Sequence, residues 1–81
     1  MEKSEIHDRI VKVVCEVLNV TPDMVKSESN FVFDLGAEST QSVQLVAAFE
    51  EEFDIDMEGE AALAVETVGS AVAFIEPYLN R

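Results

Sequence analysis

Apolar residues in the first quarter of the chain recur at three- and four-residue steps. Ile6, Ile10, Val13, Val14, Val17 and Leu18 form one stripe on a helix from about residue 4 to 18. Asn19 suits the stop. Thr21-Pro22-Asp23 then reads as an N-cap followed by proline at the first helical position, opening one short turn through Val25. Residues 26–37 carry no helical period. They start polar, at Lys26-Ser27-Glu28-Ser29-Asn30, and are then pinned by Phe31, Val32, Phe33 and Leu35 before Gly36. A second helix is expected from about Ser39 to Phe53, with Ser42, Leu45, Val46, Phe49 and Phe53 on its core face. Its opposite side carries Thr40, Val43, Gln44, Ala47 and Glu51, small and weakly apolar, a surface on which a partner can lie. A short Ala-rich helix is expected from Glu60 to Val65. Thr67 caps a last helix with Val68, Val72 and Ile75 inward. Pro77 ends it near Glu76, because the residue before proline avoids the helical region. The pattern predicts an all-α, four-helix bundle with three longer helices and one short one. Phe31, Phe49, Phe53 and Phe74 are the expected core anchors.

Length keeps this to one domain over residues 1–81. Charge changes the picture more. The net charge is -12, and the basic residues are Lys3, Arg9, Lys12, Lys26 and Arg81. Between Ser27 and Asn80 there is no Lys or Arg, against twelve carboxylates. Such a field repels nucleic acid and anionic membranes and steers basic protein surfaces toward it. No stretch has the roughly 18 apolar residues of a membrane span. Met1-Glu2-Lys3-Ser4-Glu5 is charged and no apolar core follows closely, so no secretory leader is expected. The one cysteine, Cys15, allows no internal disulfide and fits a reducing, cytoplasmic setting.

Sets of catalytic residues are nearly absent. The one histidine, His7, lies within the first helix beside Asp8 and is expected on the exposed surface. Cys15, between Val14 and Val17, reads as a small helix filler rather than a reactive thiol. The three glycines are not clustered, so there is no phosphate loop. Asp54-x-Asp56-x-Glu58-Gly59 looks like the start of a calcium loop, but the position that needs a bidentate glutamate is Val65. Weak association of divalent ions with crowded carboxylates fits better, and no metal site is expected. Glu50-Glu51-Glu52 sits near a helix C-terminus, where acids oppose the helix dipole. Charges kept there against the dipole suggest another use.

Asp34-Leu35-Gly36-Ala37-Glu38-Ser39-Thr40 resembles the Asp-Leu-Gly-Ala-Asp-Ser-Leu motif of acyl carrier proteins. The resemblance continues through Val43, Leu45-Val46 and Glu50-Glu51-Glu52-Phe53-Asp54, and spans about residues 5 to 76. It implies a carrier, not an enzyme. In that family a phosphopantetheinyl transferase moves 4'-phosphopantetheine from coenzyme A onto the motif serine, and the arm's thiol holds acyl groups as thioesters. Ser39 is the matching residue. Judged on position alone, Ser39 would read as a helix N-cap. The partners implied are that transferase and the acyl-loading and acyl-processing enzymes with basic docking surfaces, met by a monomer. Their matching contacts are Glu38, Thr40, Val43, Gln44, Ala47, Glu50, Glu51 and Glu58. The matching acyl-pocket positions are Phe31, Leu45, Phe49, Met57, Ala62 and Val65. Phe49 stands where leucine is usual, which implies a shallower cavity. Five further positions depart from the family pattern. Glu38 replaces the motif aspartate and Thr40 the leucine, Gln41 and Gln44 stand at commonly acidic positions, and Ala47 is smaller than the large apolar residue often found there. These departures suggest a specialised member serving fatty-acid, polyketide or specialised lipid biosynthesis. Two other readings compete: an acidic calcium-binding helical domain, and an adaptor that is never modified.

Overall fold

The computed structural model describes residues 2–79. Met1, at the head of the charged N-terminal stretch, and Asn80 and Arg81 lie outside them. Four α-helices and one 3-10 turn follow the expected order: α1 Lys3–Leu18, the 3-10 turn Pro22–Met24, α2 Ser39–Phe53, α3 Gly59–Leu63 and α4 Val68–Leu79. The fold is all-α, with three longer helices and one short one. Among the described residues there is no strand, only an isolated antiparallel bridge between Asn30 and Thr67.

The apolar stripe of α1 buries Ile6, Ile10, Val13 and Val14 against α2 and α4. Val17 and Leu18 pack at its margin. Asn19 ends the helix in the left-handed region at φ 57°, a conformation that asparagine tolerates better than most residues. Asp54 ends α2 the same way, at φ 54°. From α2 come the buried Leu45, Phe49 and Phe53, and from α4 Val68, Ala71, Val72 and Ile75. Of the four expected aromatic anchors, Phe31, Phe49 and Phe53 are buried. Phe74 is only partly buried and stacks at an angle on Tyr78, ring centroids 5.6 Å apart.

The long loop is sewn to the start of α4 by main-chain bonds. Phe31 N–H donates to Glu66 O (2.9 Å), Val68 N–H to Ser29 O (3.1 Å) and Gly69 N–H to Ser27 O (2.8 Å). A Cβ at Gly69 would stand 3.1 Å from Ser27 O, so glycine permits this close approach. Thr67 caps α4 as expected: its Oγ1 accepts the Ser70 N–H at 3.1 Å.

Three expectations about local structure are corrected. Only Phe31 and Leu35, with Ala37, pin the loop, while Val32 and Phe33 face solvent. The turn is so tight that successive side chains cannot all reach the core. Pro77 does not end α4, which runs on to Leu79 with the proline inside its last turn. Proline's missing N–H leaves the Ala73 carbonyl without its helical donor, at an exposed turn where water can replace it, and Tyr78 anchors the turn through Phe74 and by accepting the Glu58 N–H at 3.4 Å. His7 is partly buried rather than exposed, and it borders a shallow groove with Ser27 of the loop and Gly69 and Val72 of α4.

Candidate functional site

The loop 26–37 delivers the chain to the start of α2. Its last turn is fixed by Asp34 N–H and Leu35 N–H, both donating to Asn30 O, and by Ala37 N–H donating to Phe31 O at 2.8 Å. Gly36 there takes φ 74°, the left-handed region open to glycine. Leu35 and Ala37 are buried on either side of it. The motif is thereby clamped to the core, and Glu38, Ser39 and Thr40 emerge as exposed residues at the helix start.

Ser39 is not the N-cap. That position belongs to Glu38, whose carboxylate accepts the Gln41 backbone N–H, while Gln41 Oε1 accepts the Glu38 N–H at 2.9 Å. This reciprocal pair is a capping box with a glutamate in the place usually held by serine or threonine. Ser39 is therefore the first residue of the helix, and its hydroxyl is outside the box. Gln41 was missing from the candidate site residues, although the spacing Glu38-x-x-Gln41 carries its signal.

The face of α2 below Ser39 opens on a cavity of about 400 Å³. Ser42, Leu45, Val46 and Phe49 line it, at the spacing that continues one helix face from Ser39. Ser42 is half-buried and its hydroxyl donates to Glu38 O at 3.2 Å. The cavity thus begins three residues, about 4.5 Å along the helix axis, below Ser39. All six candidate pocket residues, Phe31, Leu45, Phe49, Met57, Ala62 and Val65, line it. Its size falls within the range of about 300–1,000 Å³ typical of small-ligand pockets.

The candidate partner residues divide into two groups. Thr40, Val43, Gln44, Ala47 and Glu51 are exposed along the outer side of α2. Three of the acids have internal work. Glu38 caps α2. Glu50 accepts the Met57 N–H at 2.8 Å, holding the turn after Asp54. Glu58 is exposed but caps α3, accepting the N–H groups of Ala61 (2.7 Å) and Glu60 (3.4 Å). Glu52, the third acid of the run, pairs with Arg9 at 2.8 Å and Lys12 at 3.6 Å. Arg9 also donates to the Glu52 carbonyl and lies 4.8 Å over the Phe53 ring. The Arg9 hydrogen bond holds the Glu52 carboxyl below its usual range, against the opposing effect of desolvation. The acidic run is thus partly a device that joins α2 to α1.

The carboxylates of the calcium-like segment do not converge. Asp54 ends α2 and Glu58 is turned onto its own helix. Among the described residues no group of three or more His, Cys, Asp or Glu is placed to hold a metal. Cys15 is half-buried. Burial, then the nearby Asp23 and Glu16 carboxylates, push its thiol pKa up, which makes it a poor nucleophile.

At the start of α2 an exposed serine outside the capping box therefore stands above an apolar cavity. The family model described as "Phosphopantetheine attachment site" matches residues 8–75. A protein of Sulfurovum sp. (strain NBC37-1) named "Acyl carrier protein" is 52% identical over 71 residues, covering 88% of this chain and 95% of that protein. Proteins of the same name from Phenylobacterium zucineum (strain HLK1) and Prochlorococcus marinus (strain MIT 9515) are also similar. The first is 46% identical over 77 residues (95% of this chain, 98% of its own length) and the second 50% over 76 (94% and 95%). The chain belongs to the acyl carrier protein family, whose cofactor is covalent 4'-phosphopantetheine.

The residues at the helix start fit that group. Ser39 presents a primary hydroxyl to solvent, and the first turn of α2 contains no acidic residue. A phosphodiester there meets the positive end of the helix dipole. Glu38 shares this helix end, so a phosphate on Ser39 would stand close to its carboxylate.

Proposed function

We propose that this chain carries acyl groups as thioesters on a 4'-phosphopantetheine arm joined to Ser39. The observation that supports this best is Ser39 itself: exposed, outside the capping box, and three residues above the apolar cavity. Attachment would form a bond from Ser39 Oγ to the phosphorus next to the pantetheine in coenzyme A and break that phosphorus's bond to the bridging pyrophosphate oxygen; adenosine 3',5'-bisphosphate leaves, and the transferase's base takes the hydroxyl proton. Once bound, the arm supplies a terminal thiol that takes acyl groups as thioesters. The chain's own part is to hold Ser39 out to the transferase, keep the arm's origin rigid through the Glu38–Gln41 box, and offer the cavity to apolar cargo.

This is a carrier and not a catalyst. Its partners are a phosphopantetheinyl transferase and acyl-loading and acyl-processing enzymes with basic docking surfaces, in the cytoplasm. Glu51, with the exposed Val43, Ala47, Thr40 and Gln44, supplies the contact strip, and Glu38, Glu50 and Glu58 add field rather than free side chains. Neutral Gln41 and Gln44 and the short Thr40 narrow the set of partners, which fits a specialised pathway of fatty-acid, polyketide or other lipid synthesis.

Incubation with coenzyme A and a broad-specificity transferase, read by intact mass, tests the assignment. One added arm is expected on the wild type and none on Ser39→Ala. No added mass on the folded wild type would favour the unmodified adaptor, and an arm on Ser39→Ala would move the site elsewhere.

A further inference from the structure

Among the described residues the most exposed large apolar side chain is Phe33, at 87%, and its neighbour Val32 is open at 53%. A tight turn fixes both. The N–H groups of Val32 and Phe33 donate to Asn30 Oδ1 at 2.9 Å. Asn30 N–H donates in turn to Asp34 Oδ2 at 2.7 Å, so the turn is held from both ends. Phe31 before the pair and Leu35 after it are buried. An aromatic side chain on a backbone held this firmly loses little freedom when a partner covers it. Aromatic residues are also enriched in protein interfaces.

The pair lies close to Ser39. Gly36 N–H donates to Val32 O at 3.1 Å, which brings the start of Phe33 against Gly36, and Ser39 is three residues further on. From standard backbone dimensions, the nitrogens of Phe33 and Ser39 are at most about 16 Å apart. An interface of standard size covers about 800 Å² on each partner, a patch about 16 Å in radius. A patch centred on Ser39 therefore reaches this turn. It needs apolar area there, because the outer strip of α2 has little: of Thr40, Val43, Gln44, Ala47 and Glu51, only Val43 is a large exposed hydrophobic. The pair is also set among exposed acids, Glu28, Asp34 and Glu38, with no Lys or Arg from Ser27 to Asn80. A second copy of this chain, at a net charge of -12, is repelled, as are nucleic acid and anionic membranes. The complement of an apolar pair in an acidic field is an apolar pocket bordered by Lys or Arg on another protein.

We infer that Val32 and Phe33 are the apolar anchor by which the phosphopantetheinyl transferase seats this chain, in a pocket bordered by basic side chains. The inference rests on the reading of Ser39 as attachment point. The transferase is the partner that forms a bond at Ser39 Oγ itself, so its active site sits directly against the start of α2. Enzymes that work on the cargo act at the far end of the arm and can stand off from this turn. The carboxylates steer the encounter, and the buried ring sets how long the complex lasts. A transferase without the pocket leaves the ring in water or clashes with it. Phe33 thereby restricts which transferase loads the chain efficiently.

The test follows arm transfer from coenzyme A by intact mass, with the transferases of the organism that makes this chain and separately with a broad-specificity transferase. Its substrates are the wild type, Phe33→Ala, Phe33→Leu and Met24→Ala, each checked for native helical circular dichroism. Met24, exposed on the 3-10 turn, serves as the apolar control. With the organism's own transferase, Phe33→Ala is expected to lose about ten-fold in kcat/KM, through KM and with kcat unchanged. Phe33→Leu should lose less, and Met24→Ala should match the wild type. The loss should persist in about 0.5 M sodium chloride, because salt screens charges and not apolar contact. Equal KM values for all four chains overturn the anchor, as does an equal loss in Met24→Ala. A loss in kcat alone also overturns it, since the turn would then act on the position of Ser39 and not on docking. So does a chain that only the broad-specificity enzyme loads. If Phe33→Ala does not fold, the unreactive Ser39→Ala chain decides: its Phe33 ring resonances must shift or broaden on titration with the transferase, and unchanged resonances refute the anchor. Failure of the Ser39 reading shows separately, as a wild type that gains no arm from any transferase.

Discussion

At the start of α2 a glutamate does what a serine at that place would ordinarily do. A serine N-cap spends its hydroxyl oxygen on a backbone N–H, and an arm attached there would compete with the cap. Here Glu38 and Gln41 satisfy each other's backbone groups, and Ser39 is spared. On the proposed reading stability and modification fall to different residues, which gives a sharp expectation for urea denaturation of the unmodified protein. Glu38→Ala should lose about 1 kcal/mol, the typical worth of a cap. Ser39→Ala should stay within about 0.5 kcal/mol of the wild type, as an exposed substitution without structural partners does. A larger loss at Ser39 than at Glu38 would return the cap to the serine. This division was half legible in the sequence. The motif points to Ser39, but the extra methylene of Glu38 reads as a mere departure until its carboxylate is seen reaching the Gln41 N–H.

At the scale of elements, periodicity located α1 and α2 well because both bury one clean stripe, and the expected Ser39 to Phe53 is the observed α2. It failed where tertiary contacts outweigh local rules. Pro77 reads as a stop, yet Tyr78 holds the turn beyond it through Phe74 and Glu58. Val32 and Phe33 read as loop anchors because composition does not say which way a tight turn aims its side chains. The pocket positions came from the family resemblance and not from periodicity, which could not have joined the loop's Phe31 to α2 and α3; the six residues it marks line the cavity. The fate of Glu50-Glu51-Glu52 was not, since it depends on where Arg9 and Met57 arrive. The Arg9–Glu52 pair predicts a pH effect of definite sign. Glu52 has a depressed pKa in the folded chain, so its contribution is complete above the unfolded value of about 4.3 and is lost as pH falls through the folded value. Glu52→Gln should cost about 1 kcal/mol at neutral pH. The gap between the two proteins in urea midpoints should narrow progressively on acidification below that unfolded value. A gap that widens on acidification would show that the pair does not hold α2 to α1.

At the scale of the whole molecule, the same acidic charge acts on folding and on docking with opposite dependence on salt. The net charge of -12 is spread over a molecule of 32 × 25 × 18 Å. The Debye length is about 10 Å at 0.1 M salt and about 30 Å at 0.01 M. At the lower concentration the carboxylates therefore repel one another across the entire fold. The ion pairs Lys3–Glu76, Arg9–Glu52 and Lys12–Glu52 offset only part of this, and exposed pairs contribute little. Repulsion outweighs pairing, so screening should stabilise the fold, whereas a protein held by ion pairs would weaken. Raising sodium chloride from 0.01 M to about 0.5 M should stabilise it by about 1 kcal/mol, a rise of about 4–8 °C in Tm for a domain of this size. Magnesium and calcium should act alike and at lower concentration than sodium, without a stoichiometric break in calorimetry. A break seen with calcium alone would revive the calcium-binding reading. Docking runs the other way, because attraction to a basic surface is screened by the same ions. Association with the transferase should slow as salt rises, while Tm climbs. Salt that raised both would mean that partners recognise the apolar strip of α2, and that the acidic field serves solubility alone.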